Sequence, residues 1–123
     1  MASQRFAQTR RLRRRAEFQQ VFETGRRAHG RYFTLVAAPN QAGTSRVGIV
    51  ASKKIGNAVR RNRAKRLIRE IFRRSEALSA RNGLDVVVIA RRELFDAAFD
   101  SLEQDFHAVL RRCAGGGARS LAR

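Results

Sequence analysis

The segment SKKIGNAVRRNRAKRLIREIFRR, residues 52–74, constrains the fold more than any other part of the chain. It contains ten Lys or Arg residues and one acidic residue, Glu70. At about 100° per residue, its apolar side chains fall within an arc of roughly 140°. The apolar arc holds Ala64, Leu67, Ile68, Ile71 and Phe72, and the opposite arc holds Asn62, Lys65, Arg66, Arg69 and Arg73. The segment therefore predicts an amphipathic helix with one core face and one cationic face.

The first turns of this helix break the amphipathic order. Arg60, Arg61, Asn62 and Arg63 step around the whole circumference, so no side of that turn can enter an apolar core. Positive side chains at a helix N-terminus each cost about 0.3–1 kcal/mol at low salt, whereas the same helix end binds phosphate readily. The charge therefore favours a polyanionic partner. The alternative interpretation is an exposed basic face beside a purely structural helix.

The charge of the whole chain supports a nucleic-acid partner. Among its 123 residues, 27 are basic and 10 are acidic, which gives a net charge of +17, and 24 of the basic residues are Arg. Arg binds phosphate through two parallel N–H bonds and stacks on bases, which Lys cannot do. A solvated Arg-rich surface is the alternative, although self-repulsion of this size destabilises a compact domain. The length suits one domain.

Two strand-like runs precede the basic helix and one follows it. Residues 31–38 and 46–52 read as strands joined by seven residues, with an antiparallel orientation expected. The RNG triplet at residues 81–83 predicts a helix stop, and residues 84–91 read as the next strand. Strand, helix and strand with short connections predict a βαβ unit whose two strands are parallel.

The remaining segments complete a single domain over residues 16–113. Residues 1–15 read as a flexible basic arm, and residues 114–123 as a flexible tail. Between them, a short helix ending at Gly25 is predicted by the spacing of Phe18, Val21 and Phe22. A last helix is predicted from residues that share one face, namely Phe95, Ala98, Phe99, Leu102, Phe106, Val109 and Leu110.

Aromatic side chains accompany the basic residues. Phe18 and Phe22 share a helix face, and Tyr32 and Phe33 lie on the strand that follows. Phenyl rings beside Arg can stack on unpaired bases, each worth about 1–3 kcal/mol. Pattern alone favours core packing for these rings, and base stacking stays open as the alternative.

The sequence carries no recognisable catalytic or metal-ligand motif. The single cysteine, Cys113, and the two histidines, His29 and His107, lie in unrelated segments, and the ten acids are scattered. Neither a phosphate-binding loop nor a dinucleotide-binding pattern occurs. The longest apolar run, residues 86–90, is far too short for a membrane span, and no signal peptide is evident. These features predict a cytoplasmic binding protein with no membrane contact.

The run SKKIGNAVRRNRAKRLIRE closely resembles the signature of the bacterial ribonuclease P protein family, whose RNR triplet falls on Arg61, Asn62 and Arg63. The flanking runs RLRRRAEFQQVFETG and GLDVVVIARR resemble the family's N-terminal segment and the strand after its helix. The resemblance spans residues 11–110. It implies an α+β fold, a small α/β sandwich with a central sheet of about four strands, flanking helices and a left-handed βαβ crossover.

The resemblance also implies a function. The protein would bind a catalytic RNA and the 5′ leader of precursor transfer RNA, and would assist endonucleolytic leader removal with Mg²⁺ held mainly by the RNA. No residue of the protein would be catalytic or bind metal, and no further obligate protein partner is implied. RNA contact is implied for Lys53, Lys54, Arg60, Arg61, Asn62, Arg63, Lys65, Arg66 and Arg69. A cleft for the leader is implied at Arg13, Phe18, Phe22, Phe33 and Val36, the last replacing a residue that is often aromatic in the family.

Two other functions share the charge and size of this chain. A structural ribosomal-RNA-binding protein would also contain a basic βαβ unit. A DNA-compacting protein would need affinity for duplex DNA, but the Arg cluster is not part of a recognisable duplex-reading module. The RNA that copurifies with the protein would separate these alternatives.

Overall fold

A computed structural model describes residues 11–40, 43–75 and 83–115. In these ranges the chain forms three α-helices and four strands joined by short 3-10 turns. In chain order they are α1 (Arg15–Thr24), β1 (Arg26–His29), β2 (Phe33–Pro39), β3 (Arg46–Val50), α2 (Ala58–Arg73), β4 (Leu84–Ala90) and α3 (Phe99–Leu110). The predicted arm before residue 11, the Arg and Asn of the RNG stop and the tail after residue 115 lie outside the described residues.

The four strands form one sheet in the order β1-β2-β4-β3. β4 pairs antiparallel with β2 and parallel with β3, so the predicted β3-α2-β4 unit is confirmed. β2 and β3 do run in opposite directions, as expected, but β4 lies between them and they do not pair with each other. The fourth strand, β1, forms a hairpin with β2, and the residue pattern does not predict it.

The two faces of the sheet carry two separate apolar clusters. Successive strand residues point to opposite faces, so Phe33, Leu35 and Val88 face α2 and α3 in the larger cluster. Val36 and Val87 face α1 in the smaller cluster. The sheet is therefore the middle layer of a three-layer sandwich, with α1 alone on one side.

α2 packs as its sequence predicts. Ala64, Ile68, Ile71 and Phe72 are buried, and Leu67 packs at the margin of the same cluster. Burial of such side chains contributes about 1.5–3 kcal/mol each. The helix ends at Arg73, shortly before residues 76–82, which lie outside the described part.

The packed domain begins before residue 16. Arg11 forms a parallel bridge with Val47 of β3, and the Leu12 amide donates to the Val47 carbonyl at 2.9 Å. Leu12 is buried in the smaller cluster beneath α1. The charge of residues 11–15 predicts a flexible arm, but Leu12 is an apolar anchor that holds this stretch against the sheet edge.

The last helical segment divides into two parts. A 3-10 turn covers Arg92–Asp96, and α3 begins only at Phe99. The predicted apolar face is confirmed for Leu102, Phe106, Val109 and Leu110, which are all buried. α3 continues into a π-helical turn, Arg111–Gly115, so the first two residues of the predicted tail extend this helix. Across the described ranges, no helix combines the length and apolarity of a membrane span.

Candidate nucleic-acid interface

The N-terminus of α2 is built by two consecutive caps. The Ser52 hydroxyl accepts from the Lys54 amide at 3.3 Å and starts a 3-10 turn over Lys53–Ile55. Asn57 then caps α2, because its Oδ1 accepts from the Arg60 amide at 3.0 Å. The SKKIGN run therefore holds its own Lys53 and Lys54 and the arginines that follow it in a fixed arrangement.

Gly56 allows the chain to turn between these caps. Its φ is +143°, and a Cβ there would lie 2.6 Å from Cδ of Arg60. A side chain at this position would strain the backbone and displace Arg60. The glycine thus brings the 3-10 turn directly against the first turn of α2.

The structure brings the predicted RNA-contact residues together on α2 and the turn before it. They divide into an outer exposed group and an inner half-buried group. The outer group is Lys53, Lys54, Arg60, Asn62, Arg63 and Arg66, and the inner group is Arg61, Lys65 and Arg69. No side of the first turn enters the core, as the sequence predicts.

Two residues beyond the predicted set support this surface. The guanidinium carbon of Arg60 lies 4.2 Å from the centre of the Phe95 ring, a close cation–π contact. Arg92 donates from Nη2 to the Lys54 carbonyl at 3.1 Å. Both partners come from the 3-10 turn after β4, and sequence spacing carries no signal for this long-range contact. Arg60 is therefore held by the protein as well as being available at the surface.

The inner group places positive charge where water is partly excluded. Nε of Arg61 is buried, and it has no hydrogen-bond partner in the described part of the chain. The pKa of Arg69 is lowered by burial first and by the nearby Arg11 guanidinium second. Like charges held together in a desolvated setting favour an anionic ligand, since a phosphate would relieve both effects.

Arginines elsewhere in the described structure form ion pairs with carboxylates. Arg46 makes two bonds of 2.8 Å to Asp85, and Arg73 lies 2.6 Å from Glu70. Arg74 is 3.5 Å from Glu103, and Arg91 is 3.9 Å from Glu93. None of these pairs includes the predicted RNA-contact residues. The acidic residues are thus distributed so that the N-terminal half of α2 keeps its positive charge.

The residues predicted for the leader cleft come together only in part beside α1. Phe22 is 38% exposed, and the Arg27 guanidinium carbon lies 5.8 Å from the centre of its ring. Phe18 is half-buried, and its ring would contact a Cβ added at Gly48 at 2.7 Å. Arg13 is exposed just before the helix. Glycine in the middle of β3 therefore leaves the space that the Phe18 ring occupies.

Phe33 and Val36 differ from the prediction. Phe33 is 0% exposed on the opposite face of the sheet, where it meets Phe106 edge to face at 6.0 Å. Its assignment to the cleft was wrong, because strand alternation points residue 33 away from α1 while residue 36 points toward it. Val36 is on the correct face but is 1% exposed, so it forms the floor beneath α1.

α1 is fixed to the sheet by a polar network at its N-terminus. Glu17 Oε1 accepts from the amides of Arg13 at 2.8 Å and Arg14 at 3.0 Å. These backbone bonds are the main reason why the pKa of Glu17 is lowered. The other carboxylate oxygen lies 3.5 Å from Arg46, which in turn is paired with Asp85. The network sets the position of α1, and therefore of the Phe18 and Phe22 rings.

The remaining chemistry of the described residues is limited. No three His, Cys, Asp or Glu side chains within the described ranges come together as a metal site. The buried Cys113 thiol donates to the Leu35 carbonyl at 3.3 Å, and burial raises its pKa to about 11. Such a thiol is a poor nucleophile at neutral pH.

Comparison with known proteins identifies the family. The ribonuclease P family model matches residues 6–114. The chain belongs to the ribonuclease P protein family. It is 43% identical over 103 residues to the ribonuclease P protein component of Brevibacillus brevis, covering 83% of this chain and 81% of that protein. It is 36% identical over 110 residues to that of Syntrophomonas wolfei, covering 89% and 91% respectively.

Solved ribonuclease P proteins share the fold. The protein from Thermotoga maritima superposes with a TM-score of 0.73 at 37% identity, covering 83% of this chain and 96% of that one. The protein from Staphylococcus aureus gives 0.73 at 34% identity, covering 83% and 93%. The chain is thus the protein subunit of the ribonuclease P endoribonuclease, a ribonucleoprotein of transfer RNA processing, and its partner is the ribonuclease P RNA. A structural ribosomal-RNA-binding role is not favoured.

Proposed function

We propose that this subunit contacts the ribonuclease P RNA through the N-terminal half of α2 and receives the 5′ leader of precursor transfer RNA in the cleft beside α1. The observation that carries the RNA contact is the set of basic residues on α2 that lack carboxylate partners among the described residues. Phosphate oxygens would bind the half-buried Arg61 and offset the unfavourable charge at the helix N-terminus.

The leader assignment depends on the two rings at the cleft. Phe22 is exposed and Phe18 is half-buried, whereas the sheet beneath them is closed by Val36. The exposed Phe22 ring and the half-buried Phe18 ring offer stacking on bases without reading sequence. This arrangement supports binding of a single strand over binding of a duplex.

In this proposal the ribonuclease P RNA carries out the cleavage chemistry. Mg²⁺ would be held mainly by the RNA, which would supply the metal chemistry of phosphodiester cleavage. The protein would act by binding and orienting the substrate, so that its contribution appears as affinity for the precursor. The free, buried Cys113 is compatible with a reducing compartment such as the cytoplasm.

Reconstitution of the holoenzyme tests this proposal. Purified protein added to the catalytic RNA at modest Mg²⁺ should promote leader removal, and Arg61→Ala with Arg63→Ala should weaken RNA binding while the fold is retained. The slope of log affinity against log salt should fall by about 0.7–0.9 for each phosphate that the variant no longer neutralises. The matched control is Arg73→Ala with Arg74→Ala, which removes equal charge from the ion-paired end of α2 and should change RNA binding little.

Two outcomes would contradict the proposal. If the protein promotes no cleavage at any salt concentration, the holoenzyme role is wrong. If the two double variants weaken RNA binding equally, only total charge matters, and the specific role of the α2 N-terminus is wrong.

A further inference from the structure

A second group of exposed arginines lies at the β1 edge of the sheet. It consists of Arg27, Arg31, Arg111 and Arg112. No carboxylate of the described chain lies within ion-pair distance of these four guanidinium groups. The nearby Asp105 directs its oxygens to the backbone amides of Arg31 and Tyr32, at 3.2 and 2.9 Å. This edge therefore has an excess of positive charge.

Of the β1-edge arginines, Arg27 lies at the far end of the cleft from α2. Arg27 is paired in register with Val36 and so lies on the α1 face of the sheet, where its guanidinium approaches the Phe22 ring. Phe18 lies against Gly48 on β3, the opposite edge strand. Three strand spacings of about 4.8 Å separate the two edges by about 14 Å. The two rings are thus associated with opposite edges of the sheet.

The cationic group of α2 borders the β3 edge. α2 follows β3 in the chain, and Arg69 is close enough to Arg11 for their charges to interact, while Arg11 itself is bridged to Val47 of β3. Positive charge therefore flanks the cleft on both sides, and the exposed rings lie between. A strand that enters beside α2 and follows α1 leaves the protein at β1.

We propose that the β1 edge, chiefly Arg27 and Arg31, binds phosphates of the distal leader nucleotides after they leave the cleft. This inference rests on the proposed function, since it assumes that the leader occupies the cleft. It assigns to the protein a contact that only precursors with long leaders can make. Phosphate binding by Arg at an exposed edge is independent of sequence, so the effect would depend on leader length and not on leader composition.

A leader-length series with the reconstituted holoenzyme tests the inference. Arg27→Gln with Arg31→Gln should weaken binding of long-leader precursor and lower its salt slope by about 1.4, since each single-strand phosphate contact contributes about 0.7. Precursor with the shortest leader and mature transfer RNA should bind as they do to wild type. Arg27→Lys with Arg31→Lys should restore most of the long-leader affinity. The control, Arg73→Gln with Arg74→Gln, removes equal charge elsewhere and should leave the length dependence intact.

The possible outcomes distinguish a failure of this inference from a failure of the proposed function. If the Gln double variant weakens precursor binding equally at every leader length, these arginines contact the catalytic RNA and not the leader. If it binds every precursor as wild type does, the β1-edge arginines are solvated surface residues. Either result overturns the inference while leader preference in the wild type remains. A wild-type holoenzyme without any leader preference would instead contradict the proposed function, and the inference with it. Thermal unfolding of each variant shows whether the fold is retained.

Discussion

Phe22 and Phe33 show how two phenylalanines close in sequence acquire opposite roles. Phe22 is 38% exposed on α1, beside Arg27, whereas Phe33 is 0% exposed and packs on Phe106. Nothing in residue type separates them. The difference comes from the face of the sheet or helix on which each side chain lies.

Alanine substitutions should separate the two roles. Phe33→Ala leaves a cavity in the larger cluster and should lower the free energy of unfolding by about 3–5 kcal/mol. Phe22→Ala removes an exposed ring and should change it by less than about 1 kcal/mol. Urea unfolding of the two variants measures both effects. A large decrease in the free energy of unfolding for Phe22→Ala would show that this ring contributes to core packing.

At the scale of elements, α1 is positioned mainly by its first turn. Glu17 joins the backbone at the helix start to Arg46 and, through it, to Asp85 of β4. Leu12 adds an apolar anchor immediately before the helix. The helix with the exposed rings is therefore held to β3 and β4 at one end and continues into β1 at the other.

The lowered pKa of Glu17 gives this attachment a pH dependence. Because the folded pKa lies below the ordinary value, the stabilisation is present above about pH 4.3 and is lost as the pH falls through the folded pKa. Glu17→Gln should lower the free energy of unfolding at neutral pH by about 0.5–2 kcal/mol, as for other helix caps. The difference from wild type should disappear in acid, and urea unfolding at both pH values measures it. If Glu17→Gln and wild type differ in free energy of unfolding by the same amount in acid, the effect comes from the shape of the side chain and not from its charge.

The sequence predicts those elements whose pattern is continuous. α2 and the strands on either side of it are recognisable because their apolar positions follow one period without interruption. β1 is missed because its segment Arg-Arg-Ala-His buries only Ala28, so an edge strand with charged side chains shows no clear alternation. The position of β4 between β2 and β3 depends on strand pairing, which residue periodicity cannot give.

The site is predictable to a similar degree. The RNR residues stand out because their charge contradicts the helix dipole, and all of them lie at the surface expected. The supporting contacts of Phe95 and Arg92 carry no such signal, because they join segments more than thirty residues apart. Phe33 differs from the prediction because alternation along β2 directs residue 33 to the face opposite α1.

At the scale of the whole molecule, charge opposes folding. The net charge is +17, and the exposed arginines without carboxylate partners among the described residues include Arg60, Arg63 and Arg66 of α2 and Arg27 and Arg31 at β1. Repulsion between them destabilises the compact state in the absence of RNA. Salt screens this repulsion over a Debye length of about 8 Å at physiological ionic strength.

The free protein should therefore become more stable as salt is added. A gain of about 1 kcal/mol would raise Tm by about 4–8 °C in a domain of this size, and thermal unfolding at increasing NaCl measures it. The expected trend is opposite to that of RNA affinity, which falls with salt. A falling Tm would show instead that pairs such as Arg46 with Asp85 dominate the electrostatic energy.

The central place of β4 in the sheet has a consequence for the order of folding. β4 is the last of the four strands to leave the ribosome, yet β2 and β3 both pair with it and not with each other. A nascent chain that ends before Leu84 can form the β1-β2 hairpin but cannot join β3 to it. The cationic segment is therefore made before the domain that positions it can close, and during that interval it can meet cellular RNA as a polycation that is not yet packed against the complete sheet.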